Sequence, residues 1–177
     1  DAFFFRNSSS PTQGNSADLY RGAYQIILSV NTTLEGIAAM ESSGYSPLKE
    51  TEKNRFRYAK GENLFIRALV YFNLVRVYGK PYYQSAASSP GVIVKTSSDI
   101  KDVPERGTVK EVYDFILRDL DAAAQLMKAP VAKTNAFAGT AAAWSLMSRA
   151  YLYMGGSAAA PDAAANQRAI DYADSVI

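Results

Sequence analysis

Two absences limit the chemistry that this chain can do. Its 177 residues contain no cysteine and no histidine, which excludes thiolate nucleophiles, Ser-His and Cys-His dyads, zinc fingers and imidazole metal sites. Catalysis would depend on carboxylates, lysine, tyrosine or serine, and no local motif places these groups beside the partners that they need. We therefore predict a protein that is not an enzyme and that holds no metal ion and no cofactor.

An all-α glycosidase is one enzymatic alternative. Glycosidases use two carboxyl groups about 5–10 Å apart. The acidic residues in helical segments that would have to supply such a pair are Glu35, Glu41, Asp114, Asp119 and Asp121. None of them has an unusual sequence setting, and the sequence alone brings no two of them together.

Aromatic residues in loops are the candidates for ligand contact, because an exposed ring offers a face on which a ligand can stack. Two groups stand outside the helical segments: Phe3, Phe4 and Phe5, followed by Arg6 and Asn7, and the pair Tyr82 and Tyr83. These residues border segments rich in glycine, proline and serine, which cannot bury them on an amphipathic face. We predict that ligand contacts come from these two groups.

Aromatic and arginine residues inside helical segments are predicted to be structural. Trp144, the only tryptophan, lies in an alanine-rich helix, so we expect it to be buried. Arg67 and Arg149 are expected to pair with a neighbouring acid or carbonyl. The same reasoning assigns five aromatic residues to the core: Tyr71, Phe72, Tyr78, Tyr151 and Tyr153.

Composition indicates one compact domain without a polyanionic partner. The chain is 48% hydrophobic and 20% charged, which is enough apolar material for a single core. A net charge of +2 leaves little field to attract nucleic acid or anionic lipid. Arg67, Asn73 and Arg76 interrupt the longest apolar run, so no membrane-spanning helix is predicted.

Hydrophobic periodicity and capping signals predict five helices. They cover residues 16–41, 46–78, a segment that begins at the Thr108–Glu111 capping box, 137–154, and a segment that begins near Pro161. Residues 79–107 are predicted to be a long irregular linker, in which GVIVK is the only β-like run. Because linkers of this length are often binding loops, we treat it as a candidate surface.

The second helix needs neighbours on more than one side. Its sequence GENLFIRALVYFNLVRVYGKPYY, residues 61–83, is apolar nearly all round, which suits a helix in a layered stack. An R-A-x-x-Y pattern occurs at residues 67–71 and again at 149–153, and this echo indicates stacked helix pairs. We predict an all-α fold of tetratricopeptide-like, antiparallel helix pairs.

Four segments, in the same order, resemble the SusD/RagB family. GENLFIRALVYFNLVRVYGKPYY is similar to the family's signature helix, A-x-x-x-x-R-A-x-x-Y-x-x-L-x-x-x-Y-G followed by Pro, with Glu62 or Asn63 where the family often has Ala. ADLYRGAYQIILSVNTTLEGI resembles the first long helix. PERGTVKEVYDFILRDLDAAAQL and GTAAAWSLMSRAYLYMGG resemble the two segments that follow.

The resemblance implies a nutrient-binding role. Members of the family are lipid-anchored on the outer surface of Bacteroidetes outer membranes, where they bind glycans, or peptides in some branches, beside a SusC-like TonB-dependent transporter. It further implies that residues 1–177 are the helical N-terminal domain of a longer chain, and that the lipid anchor, absent from this chain, is the only link to the membrane. The alternative is a repeat adaptor that binds another protein through a concave helical face and is unrelated to nutrient uptake.

Overall fold

Five α-helices make up most of the part of the chain that the computed structural model describes, residues 16–132, 134 and 136–177. They are α1 Ser16–Ser42, α2 Glu50–Tyr78, α3 Val109–Leu126, α4 Thr140–Met154 and α5 Ala163–Asp174. The predicted all-α fold is confirmed, with all five predicted helices present.

Four short strands accompany the helices in these described ranges. Strands β1 (Pro90–Ile93) and β2 (Arg106–Thr108) pair antiparallel, as do β3 (Gly156–Ser157) and β4 (Ala160–Pro161). Strand β1 falls on the predicted β-like run. The linker between α2 and α3 is therefore partly ordered by a strand pair that closes just before α3 begins.

The start of α3 follows directly from its capping box. The backbone N–H of Glu111 donates to Thr108 Oγ1 at 3.2 Å, and the N–H of Thr108 donates to Glu111 Oε2 at 2.7 Å. These bonds satisfy two of the backbone donors left free at a helix start. The apolar face of this helical segment is buried throughout: Val112, Phe115, Ile116, Leu120, Ala123, Ala124 and Met127.

Two helices begin later than predicted. Helix α2 starts at Glu50, after Lys49 donates its backbone N–H to Glu52 Oε2 at 2.9 Å, so Ser46 is not its cap. Helix α4 starts at Thr140, and its prediction from residue 137 was wrong. Tyr58 donates its hydroxyl to the carbonyl oxygen of Ala138 at 2.9 Å, which holds the preceding segment against α2 in a non-helical conformation.

Helix α2 lies inside the stack, between α1 and α3. It packs against α1 and α3, while α4 packs against α3 and α5 against α4. Its side chains are buried on more than one side: Leu64, Ala68, Tyr71, Phe72, Leu74 and Val75. The expectation that this apolar helix needs several neighbours is thus confirmed.

A buried polar network joins the first three helices to the linker. Arg67 donates from Nε and Nη2 to the two carboxylate oxygens of Asp119, at 2.7 and 3.0 Å, and from Nη1 to Asn31 Oδ1 at 2.9 Å. Asn31 Nδ2 in turn donates to the carbonyl oxygens of Lys95 and Ser97. The predicted pairing of Arg67 is confirmed, and its acidic partner is Asp119.

Two tyrosines add to this anchoring of the linker. The hydroxyl of Tyr71 donates to the carbonyl oxygen of Lys95 at 3.0 Å and accepts from its N–H at 2.7 Å. The hydroxyl of Tyr24 donates to the carbonyl oxygen of Ile93 at 2.6 Å. Burial raises the pKa of Tyr71 to about 12 and also raises the pKa of Tyr24, so both hydroxyls keep their protons at neutral pH. The two tyrosine side chains therefore hold the linker through hydrogen bonds to its backbone.

The predicted core is only partly correct for the aromatic residues. Tyr71 and Phe72 are fully buried, while Tyr78 and Tyr151 are half-buried. Tyr153 is 41% exposed, so its assignment to the core was wrong. Trp144 is also half-buried rather than enclosed, with Lys128 Nζ 5.9 Å from its ring centroid. Arg149, unlike Arg67, is exposed.

Candidate ligand-binding surface

The predicted ligand-contacting residues separate into two groups. Phe3, Phe4, Phe5, Arg6 and Asn7 lie outside the described residues. Tyr82 and Tyr83 follow α2 directly.

Tyr83 is the more accessible of the two linker tyrosines. Its side chain is 53% exposed, and its hydroxyl accepts from Gln84 Nε2 at 3.2 Å. Tyr82 is half-buried and meets the ring of Tyr113 nearly edge to face, with 5.0 Å between ring centroids. Tyr82 is thus fixed by a packed neighbour, while Tyr83 faces solvent.

Tyr82 belongs to a group that we name the tyrosine–arginine cluster: Phe72, Arg76, Tyr82, Tyr113 and Tyr153. The ring of Phe72 meets Tyr113 edge to face at 6.2 Å and Tyr153 at 5.3 Å. Phe72 and Tyr113 are buried and form the floor. Tyr82 and Tyr153 form its more accessible edges, an arrangement that holds rings in fixed positions at the surface.

Each member of the cluster is placed by the end of a helix. Phe72 and Arg76 are one turn apart near the end of α2 and therefore share a face. Tyr113 lies at the start of α3 and Tyr153 at the end of α4. Tyr82 follows α2 in the chain, and at Gly79 the backbone still passes close to the helix. A Cβ atom on residue 79 would lie 2.7 Å from the carbonyl oxygen of Val75.

The tyrosines and the arginine of the cluster differ in their electrostatic surroundings. Burial raises the pKa of Tyr113 to about 12 and also raises the pKa of Tyr82. The charge of Asp114 also raises the pKa of Tyr82, and Asp114 itself forms an ion pair with Lys110 at 2.6 Å. Within the described residues, no ion pair involves Arg76.

Sequence reasoning recognised Tyr82 as a surface residue but missed its partners. Phe72 and Tyr153 were both assigned to the core. The spacing of Phe72 and Arg76 is a signal that places both on one face of α2, next to a chain exit rich in tyrosine. No comparable signal connects α2 to Tyr153, which lies two helices further along the chain.

A cavity between α1 and α2 is another candidate surface. It has a volume of about 360 Å³ and is overwhelmingly apolar, lined by Asp18, Leu19, Gly22, Ala23, Ile26, Val70, Asn73 and Leu74. Among the described residues, its lining contains no aromatic and no basic side chain. Since sugar sites use aromatic faces and directed polar groups, the tyrosine–arginine cluster is the better candidate.

Two further findings concern the described ranges only. Their Asp and Glu side chains form no group of three or more that could hold a metal ion. None of their helices has both the length and the hydrophobicity needed to span a bilayer.

The fold and the cluster define a helical-repeat protein with an aromatic surface. Residues 2–152 match the SusD-like family described as starch-binding and associating with the outer membrane, and the chain belongs to this family. The predicted family is confirmed. No curated protein shows significant similarity to the sequence.

Solved structures share the fold. A SusD superfamily protein from Bacteroides thetaiotaomicron is 28% identical, with a TM-score of 0.72 over 89% of this chain and 31% of that chain. A putative sugar binding protein from Bacteroides vulgatus is 27% identical, with a TM-score of 0.73 over 90% of this chain and 32% of that chain. This chain therefore spans about a third of the length of both.

Proposed function

We propose that this protein is the oligosaccharide-binding component of a nutrient-uptake complex and that it catalyses no bond cleavage. The family description, starch-binding and outer-membrane association, supports this proposal, as does the likeness to a putative sugar binding protein. A peptide ligand is the alternative. In this role the protein captures its ligand at the cell surface for a SusC-like TonB-dependent transporter.

The observation that carries the proposal is the tyrosine–arginine cluster. Tyr82 and Tyr153 are ring faces fixed on a buried floor, with Tyr83 exposed beside Tyr82 in the chain. A sugar that stacks on a fixed ring pays little additional entropy for ordering the protein. The cluster therefore provides a preformed surface of the type that oligosaccharides use.

The cellular setting is part of the same proposal. We place the protein at the outer leaflet of the outer membrane, held by a lipid anchor, with residues 1–177 as the helical N-terminal domain of a longer polypeptide. Relatives about three times as long support the domain assignment. Capture and cross-linking of the transporter from outer membranes is the measurement that tests the partnership.

Binding by the cluster is tested by isothermal titration calorimetry against a panel of oligosaccharides and peptides. The variants are Tyr82→Ala/Tyr83→Ala and Tyr153→Ala. We expect each lost ring contact to weaken binding about 2–12-fold, equivalent to the ~0.5–1.5 kcal/mol of a well-packed ring pair. Thermal melts should show that the fold is retained.

Phe137→Ala serves as a matched control, because Phe137 is also an exposed ring (53%) but precedes α4, whereas Tyr153 is near its end. This variant should bind normally. A triple variant with Phe3, Phe4 and Phe5 replaced by alanine tests the other predicted group. Unchanged binding by both tyrosine variants would refute the assigned surface, and failure to bind any oligosaccharide would refute the function.

A further inference from the structure

Arg76 is an exposed guanidinium held by two aromatic rings. Its Cζ lies 4.6 Å from the ring centroid of Tyr153 and 5.2 Å from that of Phe72. The two rings meet edge to face, so the guanidinium is positioned by cation–π contacts with both. A ring face supplies no oxygen acceptor, which leaves the N–H donors of Arg76 to water or to a ligand.

The charges around the cluster leave Arg76 without an acidic partner in the described part of the chain. Asp114 and Asp162 are the two acids whose charges raise the pKa of Tyr82, and both already have partners. Asp114 pairs with Lys110, and Asp162 accepts the backbone N–H of Ala165 at 3.0 Å at the start of α5. The unpaired positive charge is therefore located at the Tyr153 end of the cluster.

A guanidinium fixed in this way is suited to one functional group above others. Its planar fork matches a carboxylate with two parallel hydrogen bonds, and such charge-assisted bonds are stronger than bonds to neutral hydroxyls. In a uronic acid the carboxylate is attached directly to the sugar ring. The guanidinium covers one face of the Tyr153 ring, 4.6 Å from its centroid. One sugar can therefore rest on the opposite face or along the exposed edge of Tyr153 while its carboxylate reaches past the ring edge to the N–H donors of Arg76.

We propose that the tyrosine–arginine cluster binds acidic oligosaccharides and that Arg76 receives a uronate carboxylate. This inference rests on the proposed function and names the ligand class of the same surface. Tyr153 and Tyr82 contact the sugar rings, and Arg76 supplies the discrimination between acidic and neutral chains. A neutral glycan would use the rings but would leave the charge of Arg76 without a counter-ion.

The test compares each sugar chain in two charge states. Oligomers of galacturonate, mannuronate and glucuronate are titrated into the protein as free acids and as methyl esters, which keep the sugar ring and remove the charge. For the oligomer that binds, we expect the free acid to bind at least about 10-fold more tightly, as for a charge-assisted hydrogen bond. Added salt should weaken binding of the acid but not of the ester.

Arg76→Gln should abolish this preference, leaving affinity for the ester within about twofold of the unmodified protein and removing the salt dependence. Arg55→Gln is the matched control, since Arg55 is an exposed arginine on the same helix, about 30 Å away at 1.5 Å per residue. It should keep the full preference. Thermal melts of both variants report whether the fold is intact.

Four results would overturn the inference. Equal binding of acids and esters, together with binding of neutral oligosaccharides, would refute acid selectivity and leave the proposed function standing. Equal weakening of both forms by Arg76→Gln would mean that Arg76 only supports the rings. Tighter binding of peptide carboxylates would assign the surface to peptides. Binding of no oligosaccharide at all would refute both proposals.

Discussion

Replacing Asp119 by alanine should destabilise the fold strongly, because it leaves the guanidinium of Arg67 buried without its carboxylate. The side chains of Arg67 and Asp119 are only 10% and 6% exposed, and two hydrogen bonds of 2.7 and 3.0 Å join them. Breaking such a buried pair costs about 3–5 kcal/mol. For a domain of this length, this corresponds to a fall in melting temperature of roughly 6–20 °C.

The complementary variant, Arg67→Met, should respond to pH. Burial raises the pKa of Asp119, while the hydrogen bonds and the charge of Arg67 lower it. Without Arg67 the pKa rises further, so the folded protein can neutralise the carboxyl by taking up a proton. Stability from a raised pKa is present below the unfolded value of about 3.9 and is lost as the pH rises through the folded value.

The cost of Arg67→Met, measured relative to the unmodified protein, should therefore be smaller at pH 4 than at pH 7. Asp119→Ala should show no such relief, since it removes the carboxyl group that could be neutralised by taking up a proton. Urea unfolding followed by circular dichroism measures both variants at each pH.

Glu50→Ala is the control for these measurements. Glu50 pairs with Arg57 at 2.6 Å, but the two side chains are 65% and 42% exposed, so the loss should stay below about 1 kcal/mol. The reasoning fails if Asp119→Ala costs no more than this control. It also fails if the cost of Arg67→Met increases towards pH 4.

Three further predictions concern local features. Thr108→Ala removes the cap of α3 and should cost ~1 kcal/mol of unfolding free energy in urea titrations; Thr108→Ser should retain most of it. Trp144 is half-buried, so Trp144→Ala should lower the free energy of unfolding by clearly less than the ~3–5 kcal/mol typical of a fully buried aromatic residue. Thermal melts that show a loss within that range would contradict this prediction. Asn31→Ala removes two hydrogen bonds to the linker, so limited trypsin digestion should cleave residues 95–102 faster, and unchanged cleavage would count against this anchoring.

The sequence by itself determined the helices because their signals are local. Thr108 and Glu111 are three residues apart, and the apolar positions of α3 repeat within a few turns. Because α2 is apolar nearly all round, its sequence also required neighbouring helices on more than one side, although it did not identify them. The fold class and the family were therefore accessible from the sequence, as was the pairing of Arg67 with some acid.

Only the tertiary structure decided which residues meet. The apolar period of α3 places Asp119 on the buried face of that helix, but Arg67 and Asp119 are 52 positions apart, and no local signal identifies one as the partner of the other. Phe72 and Tyr153 were indistinguishable as helical aromatic residues, yet one is buried and the other is 41% exposed. The exposure of a helical side chain depends on whether another element packs over its face of the helix. Which faces are covered in this way depends on the order in which the helices stack. For the same reason, the sequence located Tyr82 at the surface but did not place it with Tyr113 and Arg76.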